Sequence, residues 1–392
     1  MRKTGLDRLR EQQFRPLDGK RIGLLTHPAA VSGFDGDSPS KPLRTALELF
    51  VTAPNLHLAA LFGPEHGLTG EAQDLIPVGE TPDAVSPRPV AIHSLYGDSF
   101  ASLKPTARML EGLDLFVIDL QDVGSRYYTF QATMLYCLEA CAAVGLPVLI
   151  LDRPNPIGST REGPTIEPGF ESFVGPHPIP IRHGCTMGQL AKLYRAERVP
   201  TVSLEILACE GYGEHEWIPF VVSPSPNMPT RQTALVYPGM CLIEGTNLSE
   251  GRGTTRPFET VGFPGVNANV ITKRLRDFAL PGVDFLPATF KPTFQKHAGQ
   301  SCGGVTIHVT DPKCYSSVAV GLAVIIAFRD LLGPAFHWRT ERYEFVDHIP
   351  AIDLLFGSAR ERKAIEAGMP FPEILQPWPG EVAAFEKRIS RN

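Results

Sequence analysis

Apolar runs alternate with helical patterns through the first half of the chain. Residues 45–51 and 129–144 carry apolar side chains at helical spacing. Four shorter runs are apolar enough to be buried strands, at 21–26 (RIGLLT), 58–62 (LAALF), 113–120 (LDLFVIDL) and 147–151 (PVLIL). Strands that alternate with helices predict parallel βαβ units, and therefore an α/β fold with helices on both faces of an open sheet.

Each of these apolar runs ends in polar or glycine-rich residues. The first is followed by His27, and the others by residues 63–67 (GPEHG), 121–126 (QDVGSR) and 153–156 (RPNP). The carboxyl ends of parallel strands lie along one edge of a sheet, and ligands bind in the crevice outside that edge. The four segments therefore predict a single binding site.

The second half of the chain predicts a further, smaller α/β unit. A helix at 186–197 with Thr186 as its N-cap and a strand at 204–208 precede an irregular, proline-rich stretch at 219–238. The unit that follows has helices near 270–278 and 316–332 and a strand at 304–310. We therefore predict two domains, residues 1–220 and 221–392, with a boundary between Tyr212 and Tyr237.

Composition, charge and the motifs present argue against several classes of function. The 392 residues include 43% hydrophobic and 20% charged residues, an ordinary globular balance, and the formal net charge is -5. This charge argues against a nucleic-acid partner, although a local arginine cluster could still bind an anionic substrate. No Gly-x-Gly-x-x-Gly follows the first strand and no zinc spacing or Gly-x-Ser-x-Gly occurs, so we expect no nucleotide cofactor, no metal and no serine esterase.

The compartment is predicted from two features. The first twenty residues are mostly polar, without the apolar segment of a signal peptide, although a secreted protein whose signal had been removed would look the same. Seven scattered cysteines form no Cys-x-x-Cys pair, which fits a reducing compartment. We expect a cytoplasmic protein without a membrane span, since no apolar run approaches about 18 residues.

Glu65 in the segment FGPEHG is the first candidate catalytic residue. It lies just past a buried strand, where the flanking proline and glycines predict a tight turn that holds the carboxylate at the crevice. Partial desolvation there would raise its pKa into a range useful for acid–base catalysis. The alternative is that Glu65 caps a helix or pairs with an arginine. His66, the next residue, is a candidate substrate contact.

Residues 119–128 (DLQDVGSRYY) are the richest of the strand ends. Asp119 is a candidate catalytic carboxylate, and Asp122 could bind substrate. Arg126 could grip a carboxylate through two parallel hydrogen bonds, and Tyr127 could stack on a sugar. The alternative is that Asp119 and Arg126 form a buried pair that braces the loop.

Residues 244–257 (EGTNLSEGRGTTRP) concentrate charged groups, hydroxyls, an amide and glycines in one segment. Glycines allow the backbone to approach a ligand closely. Glu250 is a candidate catalytic residue, and Glu244, Asn247 and Arg252 are candidate substrate contacts. A solvent-exposed loop is the alternative. Arg182 and His183, in the turn before the helix at 186–197, are further candidate substrate contacts.

Several of these segments together resemble one family. The segments LFGPEHGLTGEAQ, DLQDVGSRYYTF, LDRPNPIG, IPIRHGCTMGQLA, PSPNMPT and YPGMCLIEGTNLSEGRGTTRPFE resemble the NamZ-type exo-β-N-acetylmuramidases, glycoside hydrolase family 171. The resemblance extends over residues 21–292, with a looser fit to the end of the chain. It implies a Rossmann-like domain joined to a smaller α/β domain, with the cleft between them. It also implies an enzyme that releases N-acetylmuramic acid from the non-reducing end of peptidoglycan fragments without a metal or nucleotide.

The resemblance also implies roles for individual residues. The glutamate of the family's GPEHG segment is its favoured catalytic residue, which is Glu65 here. The substrate would be a small muropeptide or disaccharide carrying a lactyl carboxylate, and Arg126, Arg182 and Arg252 are its candidate ligands. Glycoside hydrolysis usually uses two carboxyl groups. The second is left open among Glu250, Glu244, Asp119 and Asp122, as is participation of the substrate's own N-acetyl group.

Two other functions fit the same pattern. One is a glycosidase for another N-acetylated or acidic sugar. The other is a binding protein that captures a sugar or muropeptide without turnover. The sequence predicts neither the oligomeric state nor the stereochemical outcome.

Overall fold

A computed structural model describes residues 2–34, 39–72, 90–213, 218 and 220–391. The strands of its first half are β1 (Arg21–Thr26), β2 (Val31–Phe34), β3 (Pro39–Thr45), β4 (His57–Gly63), β5 (Ala91–Ser94), β6 (Leu115–Asp119), β7 (Val148–Leu151) and β8 (Leu204–Leu207). Six of them form a parallel sheet in the order β5-β4-β1-β6-β7-β8, and β2 and β3 form a hairpin. The five strands predicted before residue 220, including the one at 204–208 that corresponds to β8, and the parallel sheet are confirmed.

Helices connect these strands. They are α1 (Gly5–Glu11), α2 (Ala46–Thr52), α3 (Ala107–Leu110), α4 (Phe130–Val144) and α5 (Met187–Glu197), with short 3-10 turns at Arg15–Leu17 and Phe100–Leu103. The predicted helices correspond to α2, α4 and α5, and Thr186 caps α5 as expected by accepting a hydrogen bond from the Gln189 N–H. The sequence analysis missed α1, which begins at a capping box formed by Thr4 and Asp7.

The strand order reverses between β1 and β6. The chain moves from β1 through β4 to β5 at one edge, and then returns to β6 and continues through β7 to β8 at the other. This is the order of a Rossmann-like sheet, whose ligand crevice lies at the point of reversal. Thr26, at the end of β1, is paired in register with Asp119, at the end of β6. The residues that follow these two strands therefore enclose the crevice.

The second half has its own small sheet. Strands β9 (Thr260–Pro264), β10 (Val283–Phe290) and β11 (Cys302–Val309) pair antiparallel in the order β10-β11-β9. The helices are α6 (Arg231–Met240), α7 (Ala268–Arg276), α8 (Ser317–Leu332), α9 (Ala351–Phe356), α10 (Arg360–Glu366), α11 (Phe371–Leu375) and α12 (Trp378–Arg391), with 3-10 turns at Cys241–Gly245 and Gly333–Ala335. This confirms the smaller α/β unit.

The stretch at 219–238 is not irregular throughout, as the sequence had suggested. Helix α6 begins at Arg231, capped by the Thr230 side chain, and includes Pro238 in its last turn. Pro238 removes a single N–H donor and the helix ends two residues later, so the density of prolines was a poor guide here.

Helix α8 corrects the expectation that no apolar run approaches membrane-spanning length. Residues Ser317–Ala335 are long and apolar enough to cross a membrane by length and composition, with a mean hydropathy of 1.8. However, 61% of that window is buried within the protein, and Leu322, Ile325 and Phe328 are fully inaccessible to solvent. The structure therefore uses α8 as the core helix of the second half.

The two halves share one hydrophobic core. On one face of the large sheet, side chains such as Phe116 and Phe130 belong to the same contiguous cluster as Tyr237, Val305 and Phe356 from the second half. A separate cluster fills the other face, beneath α1 and α2. The division at residue 220 stays a prediction, because the packing is continuous across it.

Helices α6 and α8 approach each other through two glycines. A Cβ atom on Gly239 would lie 1.8 Å from the Ser317 carbonyl oxygen, and one on Gly321 would lie 2.1 Å from the Gly239 carbonyl oxygen. The Gly239 N–H also donates to Ser317 Oγ at 2.9 Å. The close contact of the two helices therefore requires glycine at both positions.

His27 follows β1 at the point where the strand order reverses. Its ring is 3% exposed, packs edge-on against Phe130 at 4.7 Å, and its Nε2 accepts a hydrogen bond from the Gln121 N–H at 2.8 Å. Burial, together with the charges of Arg153 and His66, lowers the pKa of His27 to about 3. The neutral ring thus fixes the loop that follows β6.

We expect Gly239→Ala to lower the free energy of unfolding by about 3 kcal/mol, because the new methyl group meets backbone atoms that cannot turn away. Gly380→Ala in α12 is the control, since a Cβ there meets nothing within 4 Å. Urea denaturation followed by circular dichroism measures both. Equal stability of the two variants would contradict the packing described here.

We also expect His27 to make the protein sensitive to acid. The unfolded chain takes up a proton on this residue below about pH 6.5, whereas the folded protein does not until about pH 3. Stability is therefore fully present above pH 6.5 and falls as the pH drops, by about 2 kcal/mol between pH 6.5 and 5. His27→Gln, which keeps an acceptor but does not titrate, should flatten this dependence in denaturation curves at several pH values.

The exposed His348→Gln is the matched control. It should leave the pH dependence of stability as in the parent protein. If His27→Gln behaves in the same way, His27 does not contribute to the acid sensitivity.

Candidate active site

A cavity lies where the carboxyl edge of the large sheet meets the second half of the chain. The first half of the chain contributes Glu65, His66, Tyr127, Tyr128, Thr129 and Val174 to its wall. The second half contributes Ser225, Asn227, Met228, Tyr237, Glu244, Arg252, Phe258, Tyr343 and Glu344. Of the predicted site residues, the structure brings Glu65, His66, Tyr127, Glu244 and Arg252 together here.

A larger groove lies beyond β7 and β8, along Asp152, Arg161, Lys192 and Cys209. None of the predicted site residues lines it. Its carboxylate Asp152 serves the fold, because it accepts hydrogen bonds from Gly188 N and Thr186 Oγ1 at the start of α5. We therefore assign the active site to the smaller cavity.

The turn after β4 holds Glu65 in the cavity wall. The Gly67 N–H donates to the Pro64 carbonyl at 2.9 Å, and His66 has a φ of 71°, which is uncommon for a residue other than glycine. Thr129 Oγ1, just before α4, donates to Glu65 Oε2 at 2.6 Å. Glu65 is only 5% exposed. Its carboxylate is thus fixed by the tight turn after β4 and by the residue that caps the helix after β6.

His66 has a defined orientation in the same turn. Its Nδ1 lies 2.8 Å from the Ala72 carbonyl oxygen, so this nitrogen carries the proton and donates. In the neutral ring, Nε2 is then an acceptor. The structure places His66 in the cavity wall, which fits the predicted substrate contact.

Glu244 and Arg252 form an ion pair in the opposite wall. Arg252 Nη2 donates to Glu244 Oε1 at 2.7 Å, and the Tyr343 hydroxyl donates to Glu244 Oε2 at 2.8 Å. Burial raises the pKa of Glu244, but the charge of Arg252 and these hydrogen bonds outweigh it and hold the pKa below its usual range. Glu244 is therefore a carboxylate at neutral pH, and it positions the arginine.

Glu250 lies beside this pair and not in the cavity wall. It is 2% exposed, and its carboxylate contacts Lys296 Nζ at 3.0 Å and Arg252 Nε at 3.5 Å. Glu244 and Glu250 thus alternate with Arg252 and Lys296 in a compact charge cluster. The candidate catalytic role of Glu250 stays a prediction, and its placement favours a structural role.

Aromatic rings form much of the remaining wall. The Tyr127 and Tyr128 rings meet Tyr237 edge-on at 5.8 and 6.0 Å, and Tyr237 meets Phe258 at 4.7 Å. Burial raises the pKa of both the Tyr127 and the Tyr128 phenol well above the ordinary value, so both are neutral. The Tyr127 hydroxyl donates to the Pro238 carbonyl. Such a wall, apolar with fixed polar edges, suits the face of a sugar ring.

Arg126 corrects the sequence analysis. Its side chain is 0% exposed, and its guanidinium donates to the carbonyl oxygens of Pro164, Ile179 and Leu355 at 2.8, 3.0 and 2.6 Å. Burial lowers its pKa to about 10, so it keeps its charge at neutral pH. Arg126 therefore joins backbone segments of the two halves and does not reach a substrate carboxylate.

Asp119 is also a structural residue. It is 0% exposed and forms a buried ion pair with Arg153, in which Nη2 lies 2.9 Å from Oδ2. The predicted alternative, a brace between Asp119 and Arg126, had the right role but the wrong partner. Arg153 also donates to the Val31 carbonyl at 2.9 Å. Since its carboxylate is saturated behind the cavity, Asp119 is corrected from a catalytic to a bracing residue.

Arg182 and the pair of Asp122 and His183 lie behind the cavity as well. Arg182 is 1% exposed, forms an ion pair with Glu162 and donates to the Ile157 carbonyl at 2.7 Å. Asp122 Oδ2 accepts from the Gly124 N–H at 2.6 Å and from His183 Nε2 at 3.1 Å. These contacts fix the loop after β6, so the direct substrate contacts expected of the three residues are corrected.

Asn247 is placed away from the cavity too. Its Nδ2 donates to the Ala335 carbonyl at 2.9 Å, and its Oδ1 accepts from the His337 N–H at 3.0 Å. The side chain thus holds the segment after α8, which corrects its expected role as a substrate contact.

The sequence analysis missed most of the second half's contribution to the wall. Ser225, Asn227 and Met228 lie in the segment PSPNMPT, which the resemblance had already singled out. Tyr343 and Glu344 lie outside every segment quoted for it. No sequence motif marks these two residues as part of the site. Only the structure does, through a tight turn in which Glu344 and Phe345 both have positive φ angles, 44° and 71°.

Within the residues that the structure describes, no group of three or more histidine, cysteine, aspartate and glutamate side chains is placed to hold a metal ion.

Comparisons with known proteins agree with this architecture. The N-terminal model of the family described as exo-β-N-acetylmuramidase NamZ matches residues 22–232, and the C-terminal model matches residues 235–392. The peptidoglycan β-N-acetylmuramidase NamZ of Bacillus subtilis (strain 168) is 40% identical over 390 residues, which cover 98% of this chain and 89% of that protein.

Two crystal structures of DUF1343 family proteins from Bacteroides fragilis NCTC 9343 have the same fold. One has a TM-score of 0.86 at 29% identity and the other a TM-score of 0.75 at 28% identity. Each alignment covers 100% of this chain and 98% of the other. With both family models matched in order and a relative aligned along nearly its whole length, the chain belongs to the NamZ family of exo-β-N-acetylmuramidases.

Proposed function

We propose that this protein is an exo-acting glycoside hydrolase that releases N-acetylmuramic acid from the non-reducing end of peptidoglycan fragments. The observation that carries the proposal is Glu65, fixed in the wall of a pocket between the two halves of a chain of this family. The same wall contains Arg252 and several tyrosines, a combination that suits one sugar with an acidic substituent.

Glu65 is the general acid of the proposed reaction. It gives its proton to the glycosidic oxygen as the bond to the anomeric carbon breaks, which avoids the release of an alkoxide. The Thr129 hydroxyl, 2.6 Å from Oε2, orients the carboxyl group so that the other oxygen faces the substrate. The neutral tyrosines of the wall offer apolar ring surface against which a sugar can pack.

Arg252 is the proposed ligand of the lactyl carboxylate. It lines the cavity, and Glu244 holds its guanidinium at 2.7 Å, so little side-chain entropy remains to be lost when substrate binds. The Arg252 guanidinium also packs over the Phe258 ring, with its central carbon 4.9 Å from the ring centre. Arg126 and Arg182 are excluded from this role by their buried contacts.

A cytoplasmic location is part of the proposal. Cys137, Cys141, Cys185, Cys241 and Cys302 are buried free thiols, Cys209 is a half-buried one and Cys314 an exposed one. A protein with this many unpaired cysteines suits a reducing compartment, where the substrates would be small recycled fragments. Recovery of the native enzyme outside the cell membrane would contradict this location.

We expect Glu65→Gln to lower kcat on a disaccharide of N-acetylmuramic acid and N-acetylglucosamine by about 10²- to 10⁴-fold, because the departing oxygen loses its proton donor. The dissociation constant for the disaccharide should stay within about threefold. Steady-state turnover assays measure kcat, and titration calorimetry measures the dissociation constant. Glu71→Gln is the control, since Glu71 is an exposed carboxylate only a few positions further along the chain.

The same assays separate the other two functions. Wild-type protein that binds the disaccharide but never hydrolyses it would be a binding protein. Hydrolysis of an aryl β-N-acetylglucosaminide but not of the matching β-N-acetylmuraminide would indicate a glycosidase for another N-acetylated sugar.

We expect Arg252→Met to weaken binding of N-acetylmuramic acid by about tenfold or more, as for the loss of a charge-assisted hydrogen bond. Binding of N-acetylglucosamine, which lacks the lactyl group, should change much less. Calorimetric titration with both sugars gives the ratio. A parallel loss for both sugars would mean that Arg252 shapes the cavity and does not recognise the carboxylate.

A further inference from the structure

The cavity contains a third carboxylate, Glu344, on a tight turn. The Tyr343 N–H donates to the Val346 carbonyl at 2.8 Å, and the Val346 N–H returns a hydrogen bond to the Tyr343 carbonyl at 2.9 Å. Between them, Glu344 and Phe345 both adopt left-handed backbone angles. Glycine or asparagine would adopt these angles with less strain, so the turn keeps a glutamate at a conformational cost.

Aromatic packing holds this turn against the first half of the chain. The Phe345 ring lies 5.9 Å from Tyr96, 6.3 Å from Phe173 and 6.5 Å from Phe100, measured between ring centres. Tyr343 is 3% exposed and anchors the turn from the other side through Glu244. The strained turn is thus fixed by contacts on both sides, and Glu344 is presented to the cavity at 7% exposure.

Glu344 is connected to the strand ends that carry Glu65. Its Oε2 accepts a hydrogen bond from the Tyr96 hydroxyl at 3.3 Å. Tyr96 follows β5, and Gly63 of β4 is paired in register with Ser94 of β5. Two neighbouring strand ends therefore position Glu65 directly and Glu344 through a neutral phenol.

Four other carboxylates near the cavity hold side chains of its wall or of the loops behind it. Glu244 holds Arg252, and Glu250 contacts Lys296 and Arg252 outside the cavity wall. Asp119 and Asp122 lie behind it, paired with Arg153 and His183. Buried strain and a buried carboxylate in one residue are typical of functional sites, and Glu344 combines the two in the same cavity as Glu65.

We propose that Glu344 is the second carboxyl group of the reaction and takes the proton from the water that attacks the anomeric carbon. The inference rests on the proposed function. Glu65 gives its proton to the departing glycosidic oxygen, the bond between that oxygen and the anomeric carbon breaks, and the water oxygen forms the new bond on the opposite face. The proton of the water goes to the Glu344 carboxylate. The configuration at the anomeric carbon is inverted.

The test compares two substrates. One is the disaccharide, whose leaving group needs a proton, and the other is 4-nitrophenyl β-N-acetylmuraminide, whose leaving group does not. Glu344→Gln should lower kcat on both by about 10²- to 10⁴-fold, because attack by water is impaired in each case. Glu65→Gln should lose much more activity on the disaccharide than on the nitrophenyl glycoside. Glu341→Gln, an exposed carboxylate on the same segment, should match the wild type.

The wild-type protein supplies an independent measurement, which does not depend on whether Glu344→Gln folds. Proton NMR early in hydrolysis should show the α-anomer of N-acetylmuramic acid as the first product. First appearance of the β-anomer would overturn the role of Glu344 as the base.

The remaining outcomes separate this inference from the proposed function. If the wild type hydrolyses neither substrate, the proposed function fails. If it hydrolyses both and Glu344→Gln stays within threefold of it, the proposed function stands and the inference is wrong. If Glu344→Gln loses activity on the disaccharide alone, Glu344 acts on the leaving group and not on the water. That result would also overturn the inference.

Discussion

The buried ion pair between Asp119 and Arg153 fixes the place where the site can form. Asp119 ends β6 beside the end of β1, and Arg153 follows β7 and also donates to the Val31 carbonyl of β2. The pair therefore ties together three strand ends and the hairpin at the reversal of strand order. Removing one partner would leave the other as an uncompensated buried charge, which typically costs about 3–5 kcal/mol. The loops that carry Glu65, Tyr127 and Thr129 start from this braced edge.

Charge is distributed unevenly around the cavity. In the wall formed by the second half, Glu244 and Glu250 are compensated by Arg252 and Lys296, so this cluster adds no net charge. Glu65 instead has a hydroxyl partner, and Glu344 accepts from a phenol. Hydroxyl donors support a carboxyl group in either protonation state, whereas a guanidinium stabilises only the ionised form. Glu65, assigned to proton transfer, is thus held by a neutral donor, whereas Arg252, assigned to binding, is held by an ion.

The sequence predicted the parts of the fold and site that depend on local pattern. Glu65, His66 and Tyr127 follow buried strands, and the carboxyl ends of parallel strands must meet. Arg126 and Arg182 were misassigned because a guanidinium that binds backbone carbonyls has the same residue type as one that binds substrate. The partner of Asp119 lies 34 positions away, beyond any local pattern. Glu344 could not be found, because its exposure to the cavity depends on two positive φ angles that no residue type at those positions requires.

The continuous core between the two halves bears on how the cavity works. Phe116 and Tyr237 belong to one hydrophobic cluster, and Arg126 reaches the Leu355 carbonyl of α9 from the loop after β6. Separating the halves would expose this cluster and leave a buried guanidinium without acceptors, so a wide hinge motion is strongly disfavoured. The walls of the pocket are therefore in place before substrate binds. Glu65 and Arg252 stand in walls from different halves of the chain, so their relative position is set by the continuous core and not by closure of the two halves onto a substrate.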